Sequence, residues 1–131
     1  MSESNGYLSP FIGDGYDATA TIPESAGQWS AVQIRYRPLS ADEESEIFAL
    51  QRTMPQEAVT KLYAAKFAGT KDRPGNLRNW DLKDRAGTPV PITPENIGRL
   101  SPGFFVVLKT VLDGSLVLPS GETEAEADAK N

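Results

Sequence analysis

Proline and glycine occupy 21 of the 131 positions of this chain, about one in six where roughly one in eight is usual. Each proline removes a backbone donor and each glycine loosens the backbone, so long uninterrupted helices and central strands are disfavoured. Short elements joined by ordered loops are expected, and the length allows one domain. A hydrophobic fraction of 39% suffices for a single modest core.

Histidine and cysteine are both absent. Disulfides, thiolate catalysis, imidazole acid–base chemistry and His/Cys zinc sites go with them. The formal charge is −5, which argues against nucleic acid as the main partner. The N-terminal residues Met1–Gly6 carry no basic region and no apolar run. The longest apolar run, Phe104–Leu108, is far shorter than the roughly 20 residues of a membrane span. An intracellular protein with no membrane partner is the expectation.

Residues 1–27, rich in Gly, Ser, Pro and Asp, are expected to form an irregular N-terminal arm, with a short strand at Ala18–Ile22 that Pro23 ends. Gly13-Asp14-Gly15 reads as a turn, since no phosphate-loop remainder and no helix follow it. Trp29–Arg37 carries the clearest strand pattern. Val32, Ile34 and Tyr36 alternate with Gln33, Arg35 and Arg37, as a half-buried antiparallel strand requires. Arg35 and Arg37 either read an anionic partner or form a solvated face. Ser40 and Glu43 make a capping box. Asp42, Glu43, Glu44 and Glu46 gather near the positive end of that helix's dipole, which accounts for them without a metal. Ile47, Leu50 and Met54 predict one buried stripe, with Phe48 widening it. Thr53, Pro55 and Gln56 then predict a second cap and a helix over Met54–Ala68, stopped by Gly69. Lys61 and Lys66 are expected on its exposed side.

Residues 70–78 read as a loop. Between Lys61 and Arg85 seven basic and three acidic residues give a local +4. The aromatic residues there (Tyr63, Phe67, Trp80) suit a core better than base stacking. Trp80–Ile92 predicts a small hairpin, with Asp84 opening its turn and Gly87 supplying positive φ. Asp81 and Asp84 have no chemical companion for acid–base work. Thr93-Pro94-Glu95 and Ser101-Pro102 are two helix starts in succession. The segment 103–112 is apolar almost all round; its length and cap favour helix, its β-branched residues a strand. Such a segment is buried on both faces, within the domain or against another subunit. After Ser115–Pro119, residues 120–131 carry four acids, one base and no large apolar side chain, a composition that does not fold. The expected fold class is α+β: a small, mainly helical domain over 28–118 with about four short helices, a short antiparallel β element, and a disordered acidic tail at 119–131.

Trp80-Asp81-Leu82, Asp84, Gly87, Pro89-Val90-Pro91-Ile92-Thr93, Glu95-Asn96-Ile97 and Leu100 resemble a pattern that recurs in small tailed-phage morphogenesis proteins, often grouped with the phage tail assembly chaperones. The pattern covers about 20 of the 131 residues. The flanking order is similar too: a strand ending in Arg-Pro, two helices, the Trp-Asp-Leu turn, then terminal helices. The resemblance implies a non-enzymatic role without cofactor or metal. Such chaperones bind the tape-measure protein and keep its helices soluble until tail-tube subunits polymerise around it, in the host cytoplasm. The acidic C-terminal segment is similar to the place where a frameshifted extension starts in many phages. The alternative is a minor structural or connector subunit retained in the virion.

On this resemblance the partners are other phage structural proteins, the tape-measure or tail-tube protein, with self-association left open. The candidate protein-interaction residues are Arg35, Arg37, Trp80, Phe104, Phe105, Leu108, Val111 and Leu112. A client groove would be lined by Phe104, Phe105, Val107, Leu108, Val111 and Leu112, or by the Met54–Phe67 helix. The same side chains would also serve as an ordinary core.

Overall fold

The computed structural model describes residues 10–13, 15–116 and 118. Its elements run β1 (Ala18–Ile22), β2 (Val32–Tyr36), α1 (Ala41–Gln51), α2 (Gln56–Ala68), β3 (Leu77–Trp80), α3 (Pro94–Gly98) and α4 (Pro102–Leu112). The class is α+β, with four helices and a three-stranded antiparallel sheet in the order β1-β2-β3. No helix among the described residues is long and apolar enough to cross a membrane.

The sheet follows from side-chain alternation. Ala18, Ala20 and Ile22 on β1 and Val32, Ile34 and Tyr36 on β2 are buried, and the intervening residues face outward. The register sets Ala20 against Ile34 and Ile22 against Val32, so the apolar faces coincide. Strand β1, in the segment 1–27 expected as an irregular arm with a short strand, is thus part of the sheet. The arm's first nine residues and the acidic tail beyond Leu118 lie outside the described residues.

Strand β3 holds the main surprise. Residues 77 and 78, expected in a loop, belong to this strand, which runs along β2. Leu77 sits opposite Tyr36 and Asn79 opposite Arg35, leaving Arg78 as an extra residue. This bulge shifts parity by one. Leu77 and Trp80, three apart, therefore both point into the core. A strict period of two would have sent one of them to solvent. Beyond Trp80 the expected hairpin forms: Asp84 accepts from Ala86 and Thr88 amides, Gly87 has φ +86°, and Val90 donates to Leu82. The Trp80 indole donates to the Val90 carbonyl at 2.6 Å and pins the second arm over the sheet.

The helices cover the buried sheet face, giving a two-layer arrangement. One cluster takes in Ile47 of α1, Ala64 and Phe67 of α2, Ile97 of α3, and Phe104, Leu108, Val111 and Leu112 of α4. Segment 102–112 is helix, with Ser101 accepting from the Phe104 amide. Ser40 and Thr93 cap α1 and α3 as expected; such caps contribute about 1 kcal/mol each. Helix α2 starts later than the spacing predicts. Pro55 occupies its N-cap and offers no side-chain bond, while the Thr53 hydroxyl donates back to Leu50.

Gly69 ends α2 with φ +73°. The chain then returns so closely that a Cβ on Gly69 would overlap the Gly75 amide, and one on Gly75 would overlap the Phe67 carbonyl. Gly75→Ala is therefore expected to cost on the order of 3 kcal/mol or more in chemical denaturation. Gly98, in a helix with open space around it, is the matched control; Gly98→Ala should be neutral or stabilising by about 0.5 kcal/mol.

Candidate functional site

The eight residues singled out as interaction candidates divide sharply. Trp80, Phe104, Leu108, Val111 and Leu112 are all below a tenth exposed and belong to the core. For these five the alternative of an ordinary core, left open by the sequence, describes their place in the fold. An apolar helix in a chain with one small core is spent on that core, and Trp29 closes over Phe104 edge-on at 5.3 Å. Phe105 is half-buried against Tyr63, with ring centroids 6.4 Å apart. Arg35 is exposed and pairs with Asp17 at 3.3 Å. Arg37 is mostly covered and engaged.

Arg37 and Lys66 both bind one oxygen of Glu43, at 2.5 and 2.8 Å. The other oxygen accepts from the Ser40 amide at 2.9 Å. The carboxylate thus joins the exit of β2, the first turn of α1 and the last turn of α2. Lys66, expected on the exposed side of α2, is held here. Asn76 completes the junction from beneath. It is fully buried; its side chain donates to the Arg37 carbonyl, and its amide donates to Lys66. Nothing in the sequence pattern marks Asn76, since a buried amide fixing a loop looks like any loop asparagine. Among the described residues no group of three or more Asp or Glu side chains could hold a metal ion.

The outward apolar side chains sit elsewhere. Phe48 and Leu50 on α1 are 62% and 44% exposed, and Val106 on α4 is 52% exposed. The stripe expected from Ile47, Leu50 and Met54 does not form: α1 ends at Gln51, and Ile47 is its one buried residue. Phe48 borders a depression of about 410 Å³ between α1, α2 and the end of α4, shared with Glu44, Gln51, Tyr63 and Asp113. Tyr63 anchors that depression. Its hydroxyl donates to Gln51 at 3.1 Å, its ring meets Phe67 and Phe105, and the Lys109 ammonium lies 5.1 Å from its centroid. Burial, then the charges of Asp113 and Glu44, push the Tyr63 hydroxyl above its ordinary pKa, so it stays a neutral donor.

No known protein family matches this chain, and neither the curated proteins nor the solved structures contain a match.

Burial alone would raise the Glu43 carboxyl, but the Arg37 and Lys66 hydrogen bonds and the Ser40 amide outweigh it and hold it at about 2 instead of 4.5. A carboxyl depressed in the folded state stabilises fully above its unfolded pKa and loses that contribution as pH falls through the folded value. At a site 17% exposed the contribution is on the order of 2 kcal/mol after solvent screening. Glu43→Gln should lower stability by that amount at neutral pH. The gap between native and variant in urea melts should close as pH drops from 4.5 towards 2.

Proposed function

We propose that this chain is a non-enzymatic assembly factor of the phage tail assembly chaperone type, whose client is a helix of a tape-measure protein. The observation that supports this reading most directly is Phe48, exposed on α1 at the border of the depression shared with Tyr63. Phe48 and Leu50 point to solvent from a helix that gives the core only Ile47. Asp42, Glu44 and Glu46 of the same helix are all exposed. An apolar anchor with Glu44 one turn before it suits a client helix with an apolar stripe and flanking lysines or arginines. The depression beside Phe48, walled by Tyr63 and closed at one end by Asp113, gives such a helix one preferred lie.

The chemistry of the chain agrees with a contact role. It has no histidine or cysteine, and Asp81 and Asp84 accept backbone amides. The Trp-Asp-Leu pattern that resembles the phage proteins lies on the hairpin and α3, where its residues have structural duties: Trp80 pins Val90, Asp84 forms the turn and Thr93 caps a helix.

Co-expression with segments of a tape-measure protein tests the proposal. The native chain should keep a client segment soluble and co-purify with it. Phe48→Asp combined with Leu50→Asp should weaken retention roughly tenfold, while changing the chain's own stability by no more than about 0.5 kcal/mol. Abundant copies of the chain in purified virions would show a retained subunit instead of a transient chaperone.

A further inference from the structure

A second depression lies where the 81–91 hairpin meets the α3–α4 junction. It has two adjoining lobes of about 480 and 630 Å³ that share Leu82, Lys83, Asp84, Arg99 and Leu100. Its floor is apolar: Leu82, Val90 and Leu100 line one lobe, and Trp29 and Phe104 the other. Its rim carries Lys83, Arg85 and Arg99, all exposed, and none of the three is in an ion pair among the described residues. The two carboxylates present already accept backbone amides: Asp81 from Gln33, Asp84 from Ala86 and Thr88. The depression lined by Arg37, Lys66, Arg73 and Arg78 differs, because it holds Glu43, Glu46 and Asp72 as well, and Glu43 occupies Arg37 and Lys66.

We propose that this hairpin groove is the docking site for the chain's own acidic segment, residues 122–129, bound in cis. In Glu122-Thr-Glu124-Ala-Glu126-Ala-Asp128-Ala the acids recur at every second position. An extended backbone places all four acids on one side and Thr123, Ala125, Ala127 and Ala129 on the other. The charged side meets the rim cations, and the small side chains lie on the apolar floor. A helix would scatter the same residues round its axis.

The connection has the right length. The groove is lined by Ser101 and Phe104 at the start of α4, and the acidic segment follows the end of that helix. Eleven helical residues span about 16 Å. Ten residues of chain, the distance from Leu118 to Asp128, have an r.m.s. reach of about 17 Å. Matching span and reach gives the highest effective concentration for an intramolecular contact. The chain also starts out in the right direction. Gly114 has φ +83°, and the Leu116 amide donates back to the Thr110 carbonyl, so the polypeptide reverses over the last turn of α4. Individually weak rim ion pairs thus act at high local concentration.

The chain's lack of cysteine permits a clean test in the full-length protein. A nitroxide on Ala125→Cys should broaden the NMR signals of Leu82–Arg85, Arg99–Ser101 and the Trp29 indole. The broadening should be lost at 1 M salt, where the screening length is about 3 Å. It should also be lost on Lys83→Glu with Arg99→Glu, judged valid only if the signals of buried Ile34 and Leu108 keep their positions. Replacing Glu122, Glu124 and Glu126 by Gln repeats the test from the tail side and leaves the folded part untouched. Broadening absent from the groove, or found instead at Arg37, Lys66 and Arg73, overturns the proposal. So does broadening that appears only between differently labelled copies, which would assign the groove to a second molecule.

Discussion

Everything in this fold answers to the need to bury one side of a short central strand. Strand β2 offers Val32, Ile34 and Tyr36 on one face and Gln33 and Arg35 on the other. Five residues cannot bury that face alone, because a small sheet in water is marginal without cover. β1 supplies small neighbours, Ala18 and Ala20, that let the helices come close. β3 supplies the two large residues, Leu77 and Trp80, that widen the apolar floor. The bulge at Arg78 is what allows β3 to give both of them. The helices then roof the floor, and α4 contributes the most, through Phe104, Leu108, Val111 and Leu112.

The roof is fastened at one corner by polar contacts. Glu43 holds Arg37, Lys66 and the Ser40 amide, Asn76 holds Arg37 and Lys66 by their backbones, and Gly69 and Gly75 let the loop pass against the end of α2. Hydrophobic burial supplies most of the stabilisation, and it is non-directional. The polar corner is directional: it ties the exit of β2 to the first turn of α1 and the last turn of α2.

The apolar helix α4 and the apolar side chains of α1 exchange the roles their sequences suggest. A run as hydrophobic as Phe104–Leu108 draws attention as a contact surface, yet the single small core absorbs it. The weakly apolar α1, rich in acids, reads as an ordinary amphipathic helix with its apolar residues inward, yet only Ile47 is taken. A chain this short has room under its sheet for a limited volume of side chain, and α4 fills it. Which helix wins that space depends on packing density across the whole core, a quantity that no local pattern contains.

Local physics settled a good deal in advance. The alternation in β1 and β2, the Ser40, Thr93 and Ser101 caps, the Gly69 stop and the Asp84–Gly87 turn each depend on residues within a few positions of one another, and the sequence determined all of them, along with the α+β class. The tertiary structure alone decided the rest. It placed Leu77 and Trp80 on the same face through a bulge that breaks the period of two, moved the start of α2 past Thr53, buried Asn76, recruited Lys66 to Glu43, and turned Phe48 and Leu50 outward. In each of these cases the deciding partner lies on another element, and the energy that selects it exists only once those elements have packed together.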